Sequence, residues 1–573
     1  MTNAELIAKT LKSVGVKRVY IFPGGTIAPL LDALIKEGVE YICPRNEQGA
    51  GYAALGAAKV SGFPQVVMVT SGPGVTNVMT PVADAYYDSV PLLIFTGQVA
   101  TKDINKEKRV RQTGFQEVDT TGMFKSVTKE ARILSVDDDI SKTVAELFAL
   151  TKDGRSGPVL IDLPMDVQKA EAKDENIYSK SGELFVEESN DNLSANLALL
   201  ELYKLIFESK RPLILAGNGI YLAGAVREFR DFAERLNIPV VCSLPGVGVI
   251  SSNHPLCFSF LGHTGEYFAN LAAYNADLVI GLGARFDLRQ TGTEVTEFQK
   301  NKKIVRVDVD EKELKNGRVK GDLNIQMSLK QFFWEFSEFL SDLPKWKYSD
   351  WFKTLEEWKS KYHSSQFYQK KDLLYSYDII RAVDDATKSR KVVVATGVGS
   401  HQQLVARYFT LDYPRRKWLT SAGHGAMGYE PTIIGGMLES DKDTLGIVLC
   451  GDGSFQMNIQ ELATIKELNL PIKIFVLDNR RLGVVSQFQV QFFGSDPGCG
   501  NKKNPSFSKV GEAYEILGYD IWEKDEIPFV LGRVFSEPGP AIIHCHIDYS
   551  EETYPMLLGG QKMDTMHPFD KQK

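Results

Sequence analysis

Short unbroken apolar runs recur along the chain, each followed by a longer stretch with helical spacing. In the first third the runs are Arg18–Phe22, Gln65–Thr70 and Pro91–Thr96. In the middle they are Pro212–Ala216, Leu278–Gly281 and Ile304–Val309. In the last third they are Val392–Thr396, Gly446–Leu449, Ile472–Leu477 and Ala541–Cys545. A strand with one wet face alternates apolar and polar residues. A continuous Val/Ile/Leu run instead marks a strand covered on both faces, as in a parallel sheet. Strand–helix alternation over the whole chain predicts an α/β fold of doubly wound parallel sheets.

Two polar stretches interrupt the pattern. Residues 169–194 carry no buried-strand signal, and residues 343–372 are charged, aromatic and helical in character, a connector rather than part of a core. They divide the 573 residues into three expected α/β domains, at 1–170, 190–342 and 373–573. That agrees with a length that suggests about three or four domains.

Composition narrows the function classes. With 43% hydrophobic and 24% charged residues the chain is an ordinary globular one. Lys plus Arg is 66 against 73 Asp plus Glu, a net charge of −7, and there is no long basic block, so no nucleic-acid partner is expected. The six cysteines are sparse and show no CxxC spacing, which fits a reducing compartment and argues against a structural zinc site. No apolar run approaches the ~18 residues of a membrane span. The opening MTNAELIAKTLKSVGV reads as an amphipathic helix with Glu5 inside it rather than as a signal peptide. A cytoplasmic protein with no membrane partner is the expectation.

The chemistry concentrates in Leu445–Leu482, which reads as strand, Gly-Asp-Gly turn, helix, and a second strand ending in Asp-Asn. A right-handed βαβ unit sets its two strands parallel. Asp452 and Asn479 then both follow the carboxyl ends of strands, where ligands of α/β sheets bind. One carboxylate and one amide oxygen suit Mg²⁺, which takes its remaining ligands from phosphates and water. Gly451 and Gly453 allow close backbone approach, and a helix N-terminus offers N–H groups to phosphate. The plainer alternative is a tight turn with a solvated Asp and an unrelated loop Asn. In Arg45–Asn77, Glu47 opens an Ala/Gly-rich helix, and by itself is a first-turn carboxylate favoured by the helix dipole. The next strand ends in TSGPGVTN, Thr70–Asn77.

Gly-Asp-Gly followed by 25 residues and Asn resembles the thiamine-diphosphate signature. Nearly the whole chain is similar to the acetolactate synthase (large catalytic subunit) family. The shared segments are Pro23–Gly25, Arg45–Gly51, Thr70–Asn77, Asp88–Val99, Gly114–Asp119, Gly157–Val167, Gly283–Gly292, Thr396–Gln402, Trp418–Tyr429 and Gly451–Thr464. The resemblance implies pyrimidine-binding, central and pyrophosphate-binding domains in that order. It implies thiamine diphosphate and Mg²⁺, with Asp452, Asn479 and the backbone carbonyl of Arg481 as metal ligands. Glu47 would hydrogen-bond the aminopyrimidine and activate the cofactor. Pro73, Asn77, Gly399, His401, Gly425, Gly451, Gly453 and Ser454 would hold the cofactor, Met427 would prop it into its V shape, and Gly25, Phe115 and Gln116 would line the reaction centre. FAD, in a structural role and bound chiefly by the middle domain, would lie on Arg155, Gly217, Gly219, Gly283, Arg285, Asp287 and Arg289; otherwise these are two βα turns and a surface ion pair. The family also implies a homodimer or homotetramer with active sites between subunits. The implied reaction decarboxylates the 2-oxo acid pyruvate and transfers its two-carbon unit to a carbonyl acceptor.

Several positions depart from the family pattern. Met165 stands for the Lys of PKD, Leu288 for an Asp, Phe488 for Trp and Thr26 for Ala. His263-Thr264 stands in the usual LGMHG, and Lys102–Gln112 is a longer, charged insert. The family places these positions around the substrate channel, so the acceptor is expected to differ from a second pyruvate, a keto-sugar being one candidate. The competing readings are a decarboxylase that releases aldehyde, a pyruvate-oxidase-like enzyme with redox-active FAD, a Rossmann NAD(P) oxidoreductase using Gly423–Gly428, and a non-catalytic scaffold. The thiamine motifs fit Gly423–Gly428 better than the dinucleotide fingerprint does. Neighbours in a strand point to opposite faces, so His544-Cys545-His546 is not expected to share a metal. The acceptor and any regulatory subunit stay open at this level.

Overall fold

Among the described residues every strand is parallel to its neighbours, as the unbroken apolar runs predict. The computed structural model describes residues 1–105, 107, 110–178, 193–340, 348–500 and 503–569. Residues 179–192 of the first polar break, 341–347 at the start of the second, and Lys106, Lys108 and Arg109 of the charged insert lie outside the described residues.

The first sheet comprises β1 (Arg18–Phe22), β2 (Glu40–Ile42), β3 (Gln65–Val69), β4 (Leu92–Gln98), β5 (Glu130–Ile133) and β6 (Val159–Pro164), in the order β2-β1-β3-β4-β6-β5. The second comprises β7 (Pro212–Ala216), β8 (Val240–Cys242), β9 (Cys257–Phe260), β10 (Leu278–Leu282), β11 (Lys303–Asp308) and β12 (Leu323–Gln326), in the order β12-β11-β10-β7-β8-β9. The third comprises β13 (Val392–Thr396), β14 (Arg416–Thr420), β15 (Leu445–Gly451), β16 (Ile472–Asp478), β17 (Leu517–Ile521) and β18 (Ala541–His546), in the order β14-β13-β15-β16-β18-β17. The first and third sheets share one topology. The second has the order of a dinucleotide-binding fold, with its switch point between β7 and β10.

All ten apolar runs are strands. The strands without such a signal include every sheet edge: β2, β5, β9, β12, β14 and β17. An edge strand has less surface to cover and tolerates polar residues; Glu40 and Tyr41 of β2 are exposed. β8 is only three residues long, and Asp162 interrupts the apolar run of β6.

The second polar break corrects one expectation. Its helix Ser349–Tyr362 does build core: Trp351 and Leu355 are buried, and the Trp351 indole N–H donates to the Pro212 carbonyl at 3.1 Å. Trp351, Leu355 and Trp358 lie on one helical face at i, i+4 and i+7, and the intervening charges hide that stripe in the sequence. Among the described residues no helix is long and apolar enough to cross a membrane.

The first and third sheets are joined by a shared core that runs through both. Helix Glu47–Ser61 crosses helix Thr432–Leu438 at backbone contact. A Cβ on Gly56 would stand 1.9 Å from the Thr432 carbonyl oxygen, and one on Gly435 would stand 1.7 Å from that of Ala53. The Ala/Gly-rich composition of Glu47–Ser61 is therefore a packing requirement.

Candidate functional site

The third sheet has its switch point between β13 and β15, and the chain leaves both strands at their carboxyl ends toward one crevice. After β13, Gly399 precedes helix Ser400–Tyr408, and His401 turns back under the Gly-Asp-Gly turn. Its ring lies 3.1 Å from where a Gly451 Cβ would be and 2.8 Å from one on Gly399, so a side chain at Gly399 would displace the ring and one at Gly451 would crowd it. His401 is buried, which pushes its imidazole down to about 4 and keeps it neutral at physiological pH. Its Nε2 is buried without a hydrogen-bond partner. Buried polar atoms are rarely left unpaired, so this nitrogen indicates a missing ligand.

Gly451 ends β15, and Asp452 opens the next short helix with its side chain 2% exposed. β16 runs alongside in the register Gly451↔Leu477, which brings Asp478 and Asn479 to the same edge. The βαβ geometry expected from the sequence is present, and Asp452 and Asn479 are both buried there. Asn479 Oδ1 accepts the Arg481 N–H at 3.2 Å, which tightens the turn. The Arg481 side chain points away: its guanidinium donates to the Glu551 carbonyl and lies 4.9 Å from the Tyr549 ring. That leaves the backbone of residue 481 as its possible contribution at the crevice.

Sequence reasoning missed Asn504. Its single Nδ2 donates to Asp452 Oδ2 at 2.6 Å and to Asp478 Oδ1 at 2.8 Å, tying the two strand ends together. Asn504 lies 52 residues beyond Asp452 with no motif around it, so only the fold could bring it in. It also missed Glu430. Ser454, expected to hold the cofactor, spends its hydroxyl inside the protein: it donates to Glu430 at 2.6 Å and accepts the Gly428 N–H at 2.9 Å. Gly451, Gly453 and Gly399 are partly exposed at the same edge.

Met427 is half-buried in the loop Ser421–Gly428, and Gly425 and Gly428 have φ of +75° and +74°. The first domain pins this loop. Asp88 accepts the Gly423 N–H at 2.7 Å and the Ala422 N–H at 3.2 Å, and Ser421 donates to Asp84. Glu439, the acid that a dinucleotide reading of Gly423–Gly428 would need, pairs with Arg18 at 2.8 Å instead.

In the first domain Glu47 is the first residue of its helix, capped by Asn46, and is 6% exposed. Its Oε2 accepts from Asn77 Nδ2 at 3.0 Å, and Asn77 ends the short helix that Pro73 begins. Arg45 anchors the start of this segment to the third domain, where Glu461 accepts its N–H at 3.0 Å. Gly25, exposed, opens the 3₁₀ turn after β1. Gln116, at φ +63°, lies over Gly72, where a Cβ would stand 2.9 Å from its own. Phe115 is 85% exposed. Thr26, placed by resemblance at the channel, turns its hydroxyl inward to Thr70 at 2.9 Å and Ser71 at 3.2 Å.

A cavity of about 1310 Å³ opens over the β7–β10 switch point and reaches Asp88 and Ala422 of the flanking domains. Arg155, Gly219, Gly283, Arg285, Asp287 and Arg289 line it. Gly217 lies beneath: a Cβ there would stand 2.0 Å from the Gly283 carbonyl oxygen, so its role is to let two turns pack. Arg155 is paired with Asp310 at 3.1 Å and Glu313 at 2.8 Å. Asp287 caps helix Leu288–Thr291 and pairs with Arg285 at 3.1 Å, the ion pair of the plainer reading. His263 and Thr264 line this cavity, whereas Phe488 lies on helix Gly483–Phe493 beyond the Asn479 turn.

The alternation expected for His544-Cys545-His546 is present. Cys545 turns into the core, but the two histidines are two residues apart, share the opposite face, and meet Asp520 there.

Comparison with known proteins agrees with this architecture. Residues 1–123 match the thiamine pyrophosphate enzyme N-terminal TPP binding domain, residues 199–336 its central domain and residues 397–545 its C-terminal TPP binding domain. The acetolactate synthase isozyme 2 large subunit of Escherichia coli (strain K12) is 33% identical, over 99% of this chain and 99% of its own. The acetolactate synthase large subunit of Lactococcus lactis subsp. lactis (strain IL1403) is 36% identical over 99% and 96%. That of Cyanidium caldarium is 33% identical over 100% and 97%. The chain belongs to the acetolactate synthase large-subunit family of thiamine pyrophosphate enzymes. It is a thiamine-pyrophosphate-dependent enzyme of acetolactate synthase type.

Within this acetolactate synthase fold, Asn504 is placed to orient the Asp452 carboxylate, to which it donates. Removing such an outer partner costs about 10–100-fold in metal affinity. Asn504→Ala is expected to weaken Mg²⁺ by that factor in a titration of activity against Mg²⁺, with full rate recovered at saturating Mg²⁺. A lower plateau at saturation would contradict this role.

Proposed function

We infer that this enzyme decarboxylates pyruvate and transfers the two-carbon unit to a carbonyl acceptor, with Mg²⁺ and thiamine diphosphate bound at the β13–β15 edge. One observation carries the reading: Asp452, Asn479 and the unpartnered His401 Nε2 meet at the switch point of the third sheet. Asp452, Asn479 and the carbonyl of residue 481 would hold the metal, a hard-oxygen set suited to Mg²⁺. His401 would line the diphosphate site, Met427 would support the cofactor, and Glu47, with Asn77 beside it, would face the pyrimidine. When bound, thiamine diphosphate supplies the electron sink for decarboxylation. The protein's own part is to move a proton at Glu47, exclude water and hold the acceptor. We assign residues 1–170, 190–342 and 373–573 as the pyrimidine-binding, central and pyrophosphate-binding domains of a cytoplasmic enzyme.

Two exposed surfaces support a homodimer with shared active sites. Phe115 stands out beside Gln116, and helix Gly483–Phe493 exposes Val485, Phe488 and Phe492 along one face immediately after the metal turn. A second copy would cover both. The cavity over the central sheet supports FAD. Its size exceeds the ~300–1,000 Å³ of ordinary ligand pockets, it sits at a dinucleotide switch point, and Arg155, Arg285 and Arg289 face it. We read the flavin as structural.

Met165 and Phe488 favour an acceptor larger and less acidic than pyruvate, such as a keto-sugar, since a Lys cation and an indole are both absent. Incubation with pyruvate, Mg²⁺ and thiamine diphosphate alone tests this. Slow CO₂ and acetaldehyde with little acetolactate is expected, with the rate rising when a keto-sugar is supplied. Rapid acetolactate would establish pyruvate as the acceptor, and flavin bleaching at the turnover rate would establish redox use.

A further inference from the structure

Two histidines and one carboxylate converge at the outer edge of the third sheet. Strands β17 and β18 pair in the register Asp520↔His544, and His546 follows two residues later on the same face. Asp520 Oδ1 is 2.8 Å from His546 Nε2 and 3.5 Å from His544 Nδ1, and the two imidazole centroids are 3.9 Å apart. One atom from each of the three residues falls within 4.8 Å of the others. A tetrahedral Zn²⁺ with bonds of about 2.0–2.1 Å spaces its ligand atoms about 3.3 Å apart. These separations already bracket that value.

The surroundings orient each group as a ligand. His544 Nε2 is 2.8 Å from Asp478 Oδ2, so the carboxylate accepts the Nε2–H hydrogen bond and leaves the Nδ1 lone pair toward Asp520. Metal-bound histidines are held by outer carboxylates in this way. Ser508 donates to Asp520 Oδ2 at 2.6 Å, which leaves Oδ1 facing the imidazoles. Trp522 stacks on His546 at 3.3 Å between centroids and fixes the plane of its ring. One group competes: the Phe507 N–H reaches His544 Nδ1 at 3.3 Å. It belongs to the first residue of helix Phe507–Ala513, so it has no intrahelical carbonyl to lose. A metal displaces this long contact, and half-exposed His546 carries its proton on Nδ1 instead.

We propose that Asp520, His544 and His546 bind a divalent transition ion of the zinc class, with water as the fourth ligand. Two imidazoles and one carboxylate select Zn²⁺, Co²⁺ or Cu²⁺ over Mg²⁺, which takes oxygen ligands. The site is distinct from Asp452 and Asn479, to which Asp478 links it only indirectly: its Oδ2 meets His544 and its Oδ1 meets Asn504, the partner of Asp452. An ion there would clamp β17 to β18.

The test uses holoenzyme saturated with Mg²⁺ and thiamine diphosphate, so that the cofactor site is filled. Equilibrium dialysis against Zn²⁺ counts the bound metal, and Co²⁺ substitution reads the coordination geometry. Wild type is expected to bind one Zn²⁺ per chain more than His546→Gln or Asp520→Asn, to give the intense visible bands of four-coordinate Co²⁺, and to melt higher with Zn²⁺. Both variants replace partly exposed side chains by near-isosteres, and their unchanged thiamine diphosphate binding checks that they are folded. Equal Zn²⁺ stoichiometry in wild type and both variants would overturn the site. So would a Co²⁺ spectrum that the substitutions leave unchanged.

Discussion

Glu47→Gln is expected to lower the rate of CO₂ release from pyruvate by about 10²–10⁴-fold, the usual contribution of a positioned proton-transfer group. Gln is the same size as Glu, and its amide oxygen still accepts from Asn77 Nδ2, now 3.0 Å from Glu47. The helix start is capped by Asn46, not by Glu47, so it stays intact. Thiamine diphosphate binding is expected to stay within a few-fold of wild type, because the residues proposed to hold the metal and diphosphate lie on the other domain. The check is single-turnover decarboxylation beside cofactor titration. Retained CO₂ release would remove Glu47 from the chemistry. Lost cofactor binding would make its role structural.

The second large effect concerns stability. Gly435→Ala places a Cβ 1.7 Å from the Ala53 carbonyl oxygen, 2.7 Å from its carbon and 2.9 Å from the Ala57 nitrogen. All three are backbone atoms of helix Glu47–Ser61, so no rotamer change relieves the clash. Overpacking costs about 1–3 kcal/mol and more where backbone must move, which places this substitution at the upper end. Because that helix begins with Glu47, separating it from helix Thr432–Leu438 also shifts a site residue. A lower melting temperature with a parallel loss of activity is expected. Gly532→Ala serves as the control. It lies in helix Ile527–Ser536 with nothing within 4 Å of its Cβ, and gains about 0.5–1 kcal/mol from lower chain entropy. Equal melting temperatures for the two variants would contradict the close-packed crossing.

The residues of the site differ in how visible they were. Asp452 and Asn479 were legible because one βαβ unit places both, and a short chain segment with strong periodicity has few other arrangements. Glu47 was legible only through its family motif, since a first-turn carboxylate is common in helices. Asn504 was invisible: its contact to Asp452 spans 52 residues and leaves no local pattern. Ser454 was legible as a site residue, yet its hydroxyl belongs to Glu430 and Gly428. Side-chain direction of that kind follows from packing.

What the sequence by itself determined is the set of buried parallel strands, the α/β class, the βαβ unit that brings Asp452 and Asn479 to one edge, and the family. Each rests on the period of apolar positions or on residues close along the chain. Only the tertiary structure decided the edge strands, the core role of helix Ser349–Tyr362, the Gly56–Gly435 crossing, the bridge through Asn504 and the meeting of Asp520 with two histidines. Those depend on which surfaces come together across 24 to several hundred residues. Burial and hydrogen-bond satisfaction select among such contacts only once the whole chain has packed.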